Sequence, residues 1–188
     1  MKVLLLNGSP RKNGCTYTAL NVVADALKAE GIDAEVFQAG DPDMENVKAA
    51  AAKLKESDAL VVGSPVYWAS PSGQIIEFMD RLASVAGKDM LYKPAAAVAS
   101  ARRAGTTATL DVLTKYFSYH QMPVVSSCYW NMVHGGCPED VKKDEEGLQI
   151  MRVLGRNMAW MLRCIEAGKA AGIAAPVAEN DKRTNFIR

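Results

Sequence analysis

The residues best suited to chemistry in this chain stand in three short loops. The first, Asn7-Gly8-Ser9-Pro10-Arg11-Lys12-Asn13-Gly14-Cys15-Thr16-Tyr17-Thr18, has glycine near both ends, hydroxyls on Ser9, Thr16 and Thr18, and two adjacent cations. It leads straight into a helical pattern. Backbone N–H groups, the positive end of a helix dipole and short hydroxyl donors together make an anion site, most naturally for a phosphate. Thr16 is equally suited to cap the helix. A Walker A loop needs Lys-Ser/Thr where Cys15-Thr16 stands. Gly8 and Gly14 do not have the G-x-G-x-x-G spacing of a dinucleotide fingerprint, and Asn21 stands where a Cys-x-x-x-x-x-Arg phosphatase loop needs arginine. Mononucleotide binding without an ATPase lysine is what remains.

The second loop, Gly63-Ser64-Pro65-Val66-Tyr67-Trp68-Ala69-Ser70-Pro71-Ser72-Gly73, sets two aromatic rings side by side in a proline-braced segment. Loops run over the surface, so such rings ask for a flat partner; stacking is directional and worth about 0.5–1.5 kcal/mol beyond burial. The alternative is a rigid loop packed on its own aromatics. The third loop, Ser100-Ala101-Arg102-Arg103-Ala104-Gly105-Thr106-Thr107, combines small residues, two arginines and a permissive glycine. It suits the polar edge of a ring, with an arginine near developing negative charge. Taken alone, it reads as a solvated turn before a helix capped by Thr106 or Thr107.

Each loop follows a short apolar run and precedes a helix-period segment, the pattern of βαβ units and a parallel sheet. Strands are expected at Val3–Leu6, Ala34–Gln38, Ala59–Gly63, Pro94–Ala99 and, opening a fifth, Met122–Val125. Helices are expected over Thr16–Glu30, Met44–Lys55, Gln74–Val85, Thr106–Tyr119 and Glu145–Ala167. The methionine-rich stripe of the last helix reads as core filler. Five strands interleaved with helices predict an α/β three-layer sandwich of the flavodoxin-like type, strand order 2-1-3-4-5, with ligands outside the carboxyl ends of the strands. All three loops then converge on one sheet edge.

Composition bounds the rest. With 188 residues, 49% hydrophobic and 23% charged, the chain suits a single globular domain. Residues 1–170 are expected to form it. Residues 171–188 read either as a frayed tail or as an oligomer arm whose Phe186 and Ile187 dock on a partner subunit. A net charge of +1 argues against a nucleic-acid partner. Cys15, Cys128, Cys137 and Cys164 contain no C-x-x-C pair, so they read as reduced thiols of a cytoplasmic protein without metal or disulfide staples. The opening apolar run is too short for a signal-peptide core or a membrane span.

In combination, G-S-P-R-x-x-G-x-T at Gly8–Thr16 and S-P-V-Y-x-x-x-x-S-G at Ser64–Gly73 resemble the NAD(P)H-dependent FMN reductases of the flavodoxin-like superfamily, close to the iron–sulfur flavoprotein-like members. Phe78-Met79-Asp80-Arg81 resembles the helix motif after the second loop, and the likeness covers roughly Met1–Cys128. The resemblance implies that Ser9, Arg11, Asn13, Gly14 and Thr16 hold an FMN phosphate. It implies that Pro65, Val66, Tyr67 and Trp68 line the isoalloxazine ring, and that Ser100, Arg102, Arg103 and Gly105 close the third side. It also implies NADPH or NADH as electron donor, a quinone, flavin, azo or nitro compound or other small molecule as acceptor, and a homodimer or homotetramer.

The chain departs from that pattern in two places. Iron–sulfur members carry clustered cysteines before the second helix, where this chain reads Gln38-Ala39-Gly40-Asp41-Pro42-Asp43-Met44; no cluster is expected. Cys15 stands where Asn is commoner, either as a small residue that fits or as a thiol activated by the helix N-terminus. In the stretch from Cys128 to Cys137, Trp130 and His134 are placed to reach the flavin; His134 reads either as an acid–base group or nicotinamide-phosphate contact, or as a plain hydrogen-bonding surface residue. A flavodoxin-type electron carrier is the alternative function. Such carriers are usually acidic, unlike this balanced chain.

Overall fold

The computed structural model describes residues 1–179, 181–182 and 184–186. In chain order its elements are β1 (Lys2–Asn7), α1 (Cys15–Ala29), β2 (Asp33–Gln38), α2 (Met44–Lys55), β3 (Ala59–Tyr67), β4 (Ser70–Pro71), α3 (Gly73–Met90), β5 (Ala95–Ala101), α4 (Thr106–Tyr119), β6 (Met132–His134), α5 (Pro138–Val141) and α6 (Glu145–Ala170). The parallel strands stand in the order β2-β1-β3-β5-β6, and β4 is a short antiparallel return on β3. Counting parallel strands alone, this is the expected 2-1-3-4-5 topology.

β1 lies between β2 and β3, with Leu5 opposite Val36 on one side and Val61 on the other. Its apolar run is continuous because helices cover both faces of the sheet. Successive side chains point to opposite faces. Val3 and Leu5 join a core with Leu20, Val23 and Leu27 of α1 and Met151, Leu154 and Met158 of α6. Leu4 and Leu6 join a second core with Leu54 of α2, Phe78 and Leu82 of α3, and Phe117 of α4. Leu4, Leu5 and Leu6 are fully buried; each contributes about 1.5–3 kcal/mol relative to an exposed side chain. α1 and α6 approach closely at Gly155, where a Cβ would stand 2.7 Å from that of Ala26.

The fifth strand is not where the apolar pattern suggests. Met122–Val125 touches the sheet only through a bridge between Ala95 and Val124. Pro123 has no N–H to donate and accepts one bond, from Ala95 N–H at 2.8 Å. The chain then leaves the sheet and returns as β6, pairing Ser100 with Val133 and Ala101 with His134. α3 also runs on to Met90, past a kink at Ala86 (φ −132°, ψ 17°). No helix among the described residues is long and apolar enough to cross a membrane. In the tail, Phe186 is 95% exposed; Ile187, the other residue of the expected oligomer arm, lies outside the described residues.

Candidate functional site

The candidate site forms where β1, β3, β5 and β6 end. Gly8 N–H donates to Gly63 O at 2.8 Å, joining the first loop to β3. Asn7, the last residue of β1, is fully buried and turns its side chain into that loop. Its Nδ2 donates to Gln38 Oε1 at 2.7 Å and Lys12 O at 3.2 Å, while its Oδ1 accepts from Ser9 N–H. Gln38, at the end of β2, donates from Nε2 to Ser9 O at 2.6 Å. Gly40 passes so close that a Cβ there would overlap Ser9 O. The anion loop is therefore held from two strands.

The loop delivers its donors to α1. The N-cap is Gly14, with no side-chain cap, so the first-turn N–H groups are free to meet a ligand. Thr16 is thus not the cap; its buried Oγ1 lies 2.7 Å from Ser100 Oγ, tying the first loop to the third. Ser9 Oγ accepts from Arg11 N–H at 3.1 Å. None of Arg11, Lys12, Arg102 and Arg103 pairs with a carboxylate among the described residues. The resulting cationic rim belongs to this edge, although the whole chain is nearly neutral.

The second loop is a tight hairpin. Val66 pairs with Pro71 and Tyr67 with Ser70, leaving Trp68 (φ 53°) and Ala69 (φ 57°) as its tip in the left-handed region. Ser72 braces it: Oγ donates to Gly8 O at 2.8 Å, N–H donates to Ser64 Oγ at 3.0 Å, and Oγ caps α3 at Ile75. Gly105, not Thr106 or Thr107, caps α4, with φ 104°. A Cβ on Gly105 would stand 2.7 Å from Ala69 Cα and 2.8 Å from Val66 Cγ1. The third loop therefore packs directly on the hairpin.

Between the loops lies a cleft of about 400 Å³, within the range of small-molecule sites. Ser9, Arg11, Gly14, Cys15 and Thr16 line one side, Pro65, Val66 and Tyr67 another, and Ser100, Ala101 and Arg102 a third. Gly135 and Gly136, carried past the end of β6, close the fourth. Asn13, Trp68, Arg103 and Gly105 fall outside this lining, and Trp68 is wholly exposed at the hairpin tip. Burial pushes the Cys15 thiol above its ordinary pKa and the adjacent Cys137 adds to the rise, outweighing its backbone hydrogen bond and the pull of Arg11. That opposes an activated thiolate. A shallower groove of about 690 Å³ between α3 and α4, around Tyr116 and Tyr119, has more volume but no helix N-terminus or cation cluster.

His134 and Trp130 do not line the cleft. His134 N–H donates to Asp144 Oδ2 at 2.6 Å, and Asp144 Oδ1 caps α6 at Gly147, so this group anchors the start of a helix. Trp130 stacks edge-on against Tyr129 with ring centres 4.7 Å apart. Asn7, Gln38, Gly40, Ser72 and the Gly135-Gly136 pair shape the site without being among the residues expected to hold the ligand. Their only local mark is polarity or glycine at the end of a strand.

An open parallel sheet with an uncapped helix N-terminus and converging loops at its switch point defines a nucleotide-binding protein of the flavodoxin-like class. Residues 1–136 match the NADPH-dependent FMN reductase family, and the chain belongs to that family. It is an oxidoreductase that uses FMN, with NAD(P)H as donor. An iron–sulfur flavoprotein of Methanocaldococcus jannaschii is 30% identical over 192 residues, covering 88% of this chain and all of that one. An NADPH azoreductase of a Bacillus species is 30% identical over 108 residues, covering 54% of this chain and 59% of its own length. The solved WrbA-like flavodoxin of Agrobacterium tumefaciens shares the fold with a TM-score of 0.68 at 20% identity, over 87% of this chain and 97% of its own.

Proposed function

We propose that the chain moves a hydride from a nicotinamide nucleotide to FMN held in the cleft, and that the electrons leave to a quinone, free flavin, azo or nitro compound or other small acceptor. The observation that carries this reading is the uncapped start of α1, beside the buried hydroxyls of Ser9 and Thr16 and the unpaired Arg11. Such a donor set fits a dianionic phosphate. When bound, FMN supplies the hydride-accepting chemistry, so no side-chain nucleophile is required.

The chain's own residues bind and orient. Ser9, Arg11, Gly14 and Thr16, with Asn13 at the crest of the loop, hold the phosphate. Pro65 and Val66 exclude water from one wall, and Tyr67 presents a ring for stacking. The segment Ser100–Arg102 faces the polar edge, where the Arg102 guanidinium stabilises negative charge. Gly105 acts indirectly, seating the hairpin against the third loop.

The donor set for an iron–sulfur cluster does not fit: Cys128 and Cys164 are exposed, and no three His, Cys, Asp or Glu side chains gather at a metal site among the described residues. We further read the protein as a cytoplasmic homodimer or homotetramer, with the exposed Phe186 as a docking residue. Light scattering at micromolar concentration tests the assembly.

Stopped-flow mixing of the FMN-loaded protein with NADPH tests the reaction. Bleaching of the flavin absorbance supports a reductase; an unbleached flavin points to a flavodoxin-type carrier. Arg11→Ala should weaken FMN binding about tenfold or more, as loss of a charge-assisted contact implies. Unchanged affinity refutes the phosphate assignment, and an acceptor screen on the loaded protein identifies the oxidant.

A further inference from the structure

Cys15 lines the cleft, and Cys137 follows the Gly135-Gly136 wall that faces it. Cys15 is the first residue of α1, and its Sγ lies 3.7 Å from the carbonyl oxygen of Gly135, two residues before Cys137. Cys137 is the N-cap of α5, and its thiol hydrogen-bonds the Asp140 carboxylate, which also accepts from Gly136 N–H at 3.1 Å. Both cysteines are half-buried, whereas Cys128 and Cys164 are exposed. Burial raises the pKa of the Cys15 thiol and Cys137 adds to the rise. Gly135 is packed against Val141 and held by its N–H bond to Ala101 O at 2.9 Å, whereas at Gly136 the nearest atom to an added Cβ would be 3.5 Å away, so Gly136 is the position at which Cys137 can turn.

From this placement we infer that Cys15 and Cys137 form a reversible dithiol–disulfide site, closed by peroxide, and that closing it lowers affinity for FMN. The effect on FMN rests on the phosphate assignment proposed above; the disulfide does not. Cys137 takes oxygen from hydrogen peroxide, becoming a sulfenic acid and releasing water. The second thiol attacks that sulfur, the S–S bond forms, and the hydroxyl leaves with the second proton as another water. Two thiols lose two electrons and two protons, and one peroxide becomes two waters. A disulfide holds its Cβ atoms roughly 3.5–4.5 Å apart. Drawing Cys137 onto Cys15 pulls the Gly135-Gly136 wall across the end of α1, where the phosphate would sit.

The experiment treats the FMN-free full chain with hydrogen peroxide, alkylates remaining thiols and maps the peptides by mass spectrometry. A peptide pair linked through Cys15 and Cys137, with Cys128 and Cys164 still alkylated, is expected. The linked protein should bind FMN at least about tenfold more weakly, the effect of one lost charge-assisted contact, with dithiothreitol restoring affinity. Cys137→Ser, whose side chain lies outside the cleft lining, should bind FMN as the untreated chain does and ignore peroxide. Links only through Cys128 or Cys164, oxidation of one thiol without a link, or a linked chain with unchanged affinity each overturn the inference. If the untreated chain binds no FMN, the proposed function fails, while the peptide map still decides whether the disulfide forms.

Discussion

Gly40→Ala adds a single methyl group against the loop on which the phosphate assignment depends. The new Cβ would overlap the Ser9 carbonyl oxygen, stand 2.5 Å from its carbon and 2.7 Å from Gln38 Nε2. It would therefore strike both ends of the hydrogen bond that fixes the loop. Carbon atoms rest comfortably at about 3.5–4.0 Å, so the loop must yield by about 1 Å. Overpacking of this kind costs about 1–3 kcal/mol of stability, readable as a lower urea midpoint. Displacing the phosphate donors should remove one charge-assisted contact worth about 1.5–3 kcal/mol, or roughly tenfold to a hundredfold in FMN affinity. Flavin fluorescence titration measures that change. Gly31→Ala is the control: Gly31 has φ +74° and no atom within 4 Å of an added Cβ, so it should lose about 1–2 kcal/mol of stability through backbone strain and keep its FMN affinity. Gly40→Ala with reduced stability but unchanged FMN affinity refutes the claim that loop geometry sets phosphate binding.

Other perturbations follow from the same geometry. Gly105→Ala meets both a left-handed backbone (φ 104°) and the Ala69 and Val66 contacts, so a loss of about 2–5 kcal/mol is expected in urea unfolding. Replacing the hairpin tip Trp68-Ala69 by Asn-Gly, residues that tolerate positive φ, should stabilise the chain by about 1–3 kcal/mol, seen as a raised melting midpoint. Tyr116 is pushed above its ordinary value of 10.0, first by burial and then by its hydrogen bond to Asp80. Below that value both folded and unfolded phenols are protonated. Above it the unfolded chain ionises first, so stability should fall as pH rises through about 10 to 11. Urea midpoints across that range should show the fall in the native chain and lose it in Tyr116→Phe.

The topology was legible because its evidence is local. Val3–Leu6 and Ala59–Gly63 are apolar without interruption, and Met44–Lys55 and Thr106–Tyr119 form helices over the expected residues. α2 even advertises its start, since Asp43 accepts from Glu45 N–H at 2.9 Å. The site was legible only where one loop carries its own chemistry, as at Ser9–Thr16. The Asn7–Gln38 brace joins side chains 31 positions apart, and each reads merely as the polar end of a strand. Trp68 stands beside Tyr67 in sequence, yet a two-residue tip reverses the chain there and leaves its ring wholly exposed, outside the cleft lining. β6 was hidden because Val133 is buried by its pairing with β5, and nothing in so short a segment announces that partner.

β6 gives the two sides of the cleft different lifetimes. A three-residue strand at the sheet margin opens at far lower cost than the interior strands, whose release requires global unfolding. Amide protons of Met132–His134 should therefore exchange with solvent well before those of β1 and β3. Each such opening withdraws the Gly135-Gly136 wall while Asn7 keeps the anion loop attached to the interior of the sheet. A ligand then meets a permanent seat and an intermittent cover, and the rate of marginal strand opening sets an upper bound on how fast a ligand beneath that cover can leave by that side.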